Sequence, residues 1–254
     1  MKRILTAAAL VPVVAYVVLF ANFWVFLAVV MAVAALCYHE YNGIAAAYGY
    51  GEPGPLGYGF GLLLLVWKGD AWALAVAAAL VALVMAMRER DLANALPRAA
   101  LLLFGALYVF GCWKFALPLR QSNPHWLMYA LLLNWTGDAG AYYVGRAWGR
   151  HKMAPRASPK KSWEGAAASV AVSAAVAGAY LAYFVGVAIP QAIALTVAAN
   201  AAGQLGDLAE SAMKRGAGVK DSSSLLPGHG GMLDRVDSTL FALPVIYAYL
   251  KFVG

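Results

Sequence analysis

Residues 1–20 read MKRILTAAALVPVVAYVVLF, and residues 22–38 follow as NFWVFLAVVMAVAALCY. A basic start before an apolar run has the form of a secretory signal peptide. No clear small-x-small cleavage site precedes Phe23, however, and the second apolar run begins at once. The first stretch is therefore expected to stay in place as an uncleaved membrane span. Composition carries that reading outward, since 63% of the 254 residues are hydrophobic and only 12% are charged. Mean hydropathy is +0.68. No soluble core of this size could hide so much apolar surface, whereas a helical bundle can leave it facing lipid.

Apolar runs of about 20 residues, or shorter runs that could tilt, are the signature of spanning helices. They fall near 4–20, 22–38, 71–87, 99–117, 125–145, 166–188, 190–208 and 236–253, with a short Gly-rich run near 55–67. Charge decides whether the short run counts. With nine spans, fifteen Lys and Arg residues share the side of the N-terminus, and only Lys68, Lys114, Arg120 and Lys251 face the other. Dropping the short run would put Lys2 and Arg3 on the poor side. The positive-inside rule thus predicts an all-α polytopic integral membrane protein of about nine transmembrane helices. Its N-terminus would be cytoplasmic and its C-terminus periplasmic or external. The same rule accounts for the net charge of +7 without a nucleic-acid partner.

Polarity is uneven along the chain. Seven of the twelve acidic residues lie at or after Asp138. Residues 1–124 are accordingly read as a transmembrane scaffold of about five spans. Residues 125–254 are read as the catalytic transmembrane region, with cytoplasmic loops at 146–165 and 209–235. There is no fixed-period repeat. Cys37 and Cys112 sit in apolar runs as small hydrophobes, and His39 and Glu40 read as a snorkelling span end, with membership of the site as the alternative. The four histidines are scattered, which argues against zinc.

Three polar constellations remain. In 134–165, Asn134, Asp138 and Tyr142 recur every four residues on one helical face, beside a small-residue stripe of Gly137, Ala141 and Gly145. Helix packing explains the glycines, but an acid inside a span is costly and usually functional. SPKKSWEG follows at 158–165, where Lys160 and Lys161 between hydroxyls suit phosphate or anionic headgroups, and Glu164 closes the run. In 203–216, Asp207, Glu210, Ser211 and Lys214 share one helical face; a salt-bridge ladder is the bland alternative.

The third constellation, residues 214–238, reads KRGAGVKDSSSLLPGHGGMLDRVDS. Lys214, Arg215 and Lys220 supply cations beside Asp221. The Gly-rich turn at 228–231 lets backbone amides approach an anion. Asp234, Asp237 and Ser238 share the helical face that follows. Ser222, Ser223 and Ser224 have no assigned role beyond a flexible cover. Carboxylates and cations gathered this way suit metal–polyphosphate chemistry, because hard cations such as Mg²⁺ prefer oxygen ligands.

The run from Ser211 to Ser238 resembles the signature of bacterial CDP-diacylglycerol synthases, also called phosphatidate cytidylyltransferases. The segments Asp138-x-x-Ala-Tyr-x-x-Gly-Arg, Ser-Pro-Lys-Lys-Ser-x-Glu-Gly and Gly-Gln-x-Gly-Asp-Leu-x-Glu-Ser agree with it. The N-terminal half matches only in being hydrophobic. The resemblance implies transfer of CMP from CTP to phosphatidate, giving CDP-diacylglycerol and pyrophosphate, in the bacterial inner membrane with the active site facing the cytoplasm. It implies Mg²⁺ with a second cation, K⁺ being one candidate, and metal ligation by Asp207 and Asp234. Lys214, Arg215, Lys220 and the Gly230–Gly231 amides would grip triphosphate, and Lys160 and Lys161 would meet the phosphatidate headgroup. Asp138 would orient a cation or the metal. Ser211, Asp221, His229, Arg235, Asp237 and Ser238 complete the expected substrate site, with Glu164 among the catalytic set. A homodimer is allowed. The rival readings are a CTP-dependent lipid kinase of related fold and, further off, a cation-coupled transporter.

Overall fold

In lipid a backbone must satisfy its own N–H and C=O groups, so apolar runs are expected as helices. The computed structural model describes residues 2–52, 54–225 and 230–253, with side chains from Leu10 onward, and each of the predicted runs is helical. In chain order the elements are α1 (Lys2–Leu19), α2 (Phe23–Ala45), α3 (Pro55–Val66), α4 (Ala71–Ala86) and α5 (Ala95–Ala106). Short helices α6 (Cys112–Lys114) and α7 (Ala116–Ser122) precede the long α8 (Pro124–Trp148). Strands β1 (Lys152–Ala154) and β2 (Ser158–Ser162) then lead into α9 (Trp163–Ser173), α10 (Ala179–Val185), α11 (Ile189–Gly216) and α12 (Leu233–Phe252). π-helical turns interrupt the helices at Ala46–Tyr50, Leu107–Gly111 and Ala174–Gly178.

Among the described residues, three helical stretches are both long and apolar enough to cross a membrane: Phe23–Tyr50, Leu92–Ser122 and Trp163–Val185. Shorter apolar helices accompany them at Leu10–Leu19, Pro55–Val66 and Ala71–Ala86. This is the pattern of an all-α membrane protein. The Gly-rich α3 has only 12 residues, about 18 Å of helix against a hydrocarbon core of about 30 Å. The strand pair is a departure from the all-helical expectation. β1 and β2 are antiparallel, with Lys152 opposite Ser162 and Ala154 opposite Ser158 and an irregularity between. A hairpin forms here because the basic loop has no apolar stripe to support a helix, and its ends are tied. Trp163 N donates to His151 O at 3.0 Å, and the Ser162 hydroxyl N-caps α9 by accepting from Gly165 N at 3.2 Å.

The chain divides into two compact units, with divisions within α2, α11 and α12 and between α6 and α7. One unit comprises Met1–Phe26, Phe115–Ala212 and Val236–Gly254. Its interior is a seam of polar side chains that bond across helices, as packing without a hydrophobic driving force requires. Asn134 Nδ2 donates to Thr239 Oγ1 at 3.0 Å, and Tyr129 and Thr196 hydroxyls meet at 3.0 Å. Asn200 Nδ2 bonds Ser169 and Ser173 hydroxyls, each at 3.0 Å. The small-residue stripe of α8 has the role read for it. A Cβ on Gly137 would stand 2.6 Å from Ser169 Oγ, and one on Gly145 3.6 Å from Gly165 Cα. Arg120 donates to the carbonyls of Val18 and Ala21 at the end of α1, where a cation also suits the helix dipole.

The other unit comprises Leu27–Lys114 and Met213–Arg235. Three glycines interlock here with three buried aromatic rings: Gly57 with Tyr38, Gly61 with Phe110, and Gly105 with Tyr41. No Cβ fits at any of the three, which accounts for two of the three glycines of α3, Gly57 and Gly61. Tyr41 also donates to Leu101 O at 2.9 Å. Lys114 Nζ caps the end of α3 by bonding the Leu64 and Trp67 carbonyls at 2.8 and 2.6 Å. Tyr48, in the π-helical turn, donates to Met213 O at 2.9 Å.

Candidate functional site

The first unit gathers Asp138 from α8, Lys161 from β2, Asp207 from α11 and Asp237 from α12. Lys161 Nζ pairs with Asp207 Oδ2. Asp237 is buried and lies within electrostatic reach of Asp207, Asp138 and Lys161. Its Oδ1 accepts the Ser238 amide at 2.6 Å, and Ser211 Oγ contacts Asp207 Oδ1 at 3.4 Å. Gly206 lets α12 come close, because a Cβ there would stand 2.8 Å from the Asp237 carbonyl. Lys161 thus pairs with Asp207, and the Asp237 carboxyl lies within electrostatic reach of both and of Asp138.

Strand geometry separates the two loop lysines. Successive strand residues point to opposite faces, so Lys161 turns to Asp207 while Lys160 is exposed. Glu164 sits in the first turn of α9 and braces the hairpin. It accepts from His151 N at 3.2 Å, and its Oε1 meets His151 Nδ1 at 2.6 Å.

The second unit holds the other pair. Lys214, in the last turn of α11, donates to Asp234 Oδ1 in the first turn of α12. Asp234 Oδ2 accepts from Ser222 N at 3.0 Å, Ser222 Oγ at 3.0 Å and Gly231 N at 2.8 Å. Burial pushes the Asp234 carboxyl up, but the Lys214 ammonium and the Gly231 and Ser222 amides outweigh it and hold it below the usual carboxylate range. Gly230 has φ +79°, and a Cβ there would meet Asp234 Oδ2 at 2.6 Å. Both reasons favour glycine. Arg215 donates to Val219 O at 3.2 Å. Arg215, Lys220, Asp221 and Arg235 are all exposed, and His229 lies outside the described residues.

Two features differ from the sequence reading. Glu40 is not a snorkelling span end, because it is only 3% exposed. Its carboxylate accepts from Met232 N, Leu233 N, Ser222 Oγ and Ser223 Oγ at 2.8, 2.6, 2.9 and 2.7 Å. Ser222 and Ser223 are therefore bonded to carboxylates and are not a loose cover. The one clue in the sequence was an acid at the end of an apolar run, to which no local pattern assigns a partner. Among the described residues, no group of three or more His, Cys, Asp or Glu forms a metal cluster.

Among the described residues the helical chain has three candidate membrane spans, and two of its acids, Asp207 and Asp234, pair with lysines. The chain belongs to the cytidylyltransferase family, whose sequence profile matches residues 1–253. It is 43% identical over 155 residues to a phosphatidate cytidylyltransferase of Haemophilus influenzae, covering 58% of this chain and 54% of that one. It is 37% identical over 150 residues to the Bacillus subtilis enzyme of the same name, covering 57% and 55%. A Staphylococcus aureus phosphatidate cytidylyltransferase is 43% identical over 150 residues, covering 58% and 57%. The matched regions thus span little more than half the length of these relatives.

Proposed function

We propose that the protein transfers the CMP moiety of CTP to phosphatidate, yielding CDP-diacylglycerol and pyrophosphate. The observation that carries this reading is the pair of lysine–aspartate contacts, Lys161–Asp207 and Lys214–Asp234, formed by the motif residues within a chain of this family. In the reaction a phosphate oxygen of phosphatidate attacks the α-phosphorus of CTP. The bond from that phosphorus to the oxygen bridging to the β-phosphate breaks, and pyrophosphate leaves with the electron pair. The lipid phosphate is already a nucleophile, so no covalent enzyme intermediate is needed. The protein has to bring two mutually repelling anions into line and offset the charge that develops on the leaving group.

Lys214, Arg215 and Lys220 are assigned to the triphosphate, with Gly230, Gly231, Arg235 and Asp221 forming the loop around it. Lys160, the exposed lysine of β2, is assigned to the phosphatidate headgroup, and Lys161 joins it when substrate competes for its ion pair with Asp207. Asp138, Asp237, Ser211 and Ser238 orient these groups, and Glu164 fixes the hairpin that carries both lysines.

A divalent cation fits the donor chemistry. Mg²⁺ is usually held by one or two carboxylates together with substrate phosphates, without a dedicated protein cage. Asp207 and Asp234 are each proposed as a carboxylate ligand to such an ion. When bound, the ion would neutralise phosphate charge. The setting proposed is the bacterial cytoplasmic membrane, with the lysine-bearing loops on the cytoplasmic side, as their positive charge favours.

The test uses purified protein, phosphatidate, Mg²⁺ and CTP labelled at the α- or the γ-phosphate. Label from the α position should enter the lipid, with release of pyrophosphate. Entry of γ label instead would make the protein a lipid kinase, and no incorporation from either position would reject the reading.

A further inference from the structure

We propose that Glu40 is a positioning residue, which holds Ser222, Ser223, Met232 and Leu233 so that the Asp234–Lys214 pair stands ready for the nucleotide. The proposal rests on the cytidylyl-transfer reading above. Glu40 lies on α2, more than 180 residues from its partners in sequence. Burying a carboxylate in an apolar helix is costly unless it is fully hydrogen-bonded. A carboxylate offers about four acceptor positions, and the structure supplies donors to match. Oε1 takes Met232 N and Ser223 Oγ, and Oε2 takes Leu233 N and Ser222 Oγ.

These donors belong to the same segment that binds Asp234. Three successive amides are divided between the two acids: Gly231 N goes to Asp234, and Met232 N and Leu233 N go to Glu40. The Ser222 hydroxyl stands between the carboxylates, 2.9 Å from Glu40 Oε2 and 3.0 Å from Asp234 Oδ2. It has one proton and serves one acid at a time, which couples the two. Leu233 opens α12, so the Glu40 carboxylate also lies at the positive end of that helix. Gly231 permits this closeness, because a Cβ there would stand 2.5 Å from both Glu40 oxygens. An acid on a membrane helix thus takes the place of a local cap, and ties the substrate loop to the scaffold.

Glu40→Gln tests this with little change of volume. The carboxamide keeps one acceptor oxygen and turns an N–H₂ donor toward a donor pair. Two readouts are taken on the full-length protein in detergent. Amide hydrogen exchange at Met232 and Leu233 should accelerate, independent of activity. The kcat for cytidylyl transfer should fall by about tenfold or more, with the KM for phosphatidate changed less than about twofold, as expected from misplacing a catalytic group and not the lipid site. Glu40→Asp, which keeps an acceptor-only carboxylate, should recover part of both. Unchanged amide protection in Glu40→Gln, or unchanged kcat, overturns the proposal. So does a uniform loss matched by a loss of folded protein, provided that Ser222→Ala with Ser223→Ala leaves kcat intact. If the wild-type protein transfers no cytidylyl group, the functional reading fails, while the exchange result still decides whether Glu40 holds the loop.

Discussion

Lys214 and Asp234, 20 positions apart in sequence, form an ion pair that joins the last turn of α11 to the first turn of α12. Their side chains are only 10% and 6% exposed. A pair this buried adds little net stability, but removing one partner strands the other.

Lys214→Met should therefore lower stability by about 3–5 kcal/mol, the usual cost of leaving a buried charge unpaired. Asp234→Asn keeps the shape but loses one acceptor oxygen and the charge that pairs Lys214, so it should fold with reduced stability and lose cytidylyl transfer. Asp207→Asn should behave alike. Thermal unfolding in detergent and labelled-CTP turnover are the measurements, and near-wild-type turnover would remove that aspartate from the metal site.

Acid should loosen the loop late. The folded Asp234 carboxyl is held below its unfolded value, so its contribution is present above the unfolded value and is lost as pH falls through the folded one. Exchange of the Gly231 amide should stay protected between about pH 7 and about pH 5, once its intrinsic pH dependence is removed, and rise only below the ordinary Asp range near 3.9. In Asp234→Asn that acid step should vanish.

The hairpin lysines should differ in kinetics. Lys160→Ala is expected to raise the KM for phosphatidate in mixed micelles with little change in kcat. Lys161→Ala removes the partner of Asp207 and should lower kcat as well. If Lys161→Ala raised only the KM for CTP, the headgroup assignment would be wrong.

Gly61→Ala tests the packing of α3. Its Cβ would overlap the Phe110 ring, and overpacking of this kind costs about 1–3 kcal/mol. The same change at Gly59, where a Cβ meets nothing within 4 Å, should leave the thermal midpoint unchanged or slightly raised.

Local signals carried much of the fold. Each apolar run folds as helix, since lipid leaves the backbone no other partner, and the small-residue stripe of α8 packs as its four-residue spacing implied. The site was legible in part. Asp207, Lys214 and Asp234, marked out by their spacing, stand in ion pairs.

What the sequence alone determined is the helical, lipid-compatible character of the chain and the composition of its polar loops, since both follow from residue type and short-range spacing. Tertiary structure decided which charges pair. The separation of Lys160 from Lys161 depends on a short strand that no apolar pattern announces. The partnership of Glu40 with Ser222, Ser223, Met232 and Leu233 depends on contacts across more than 180 residues. A buried carboxylate takes whichever donors the fold brings to it, and spacing along the chain does not encode them.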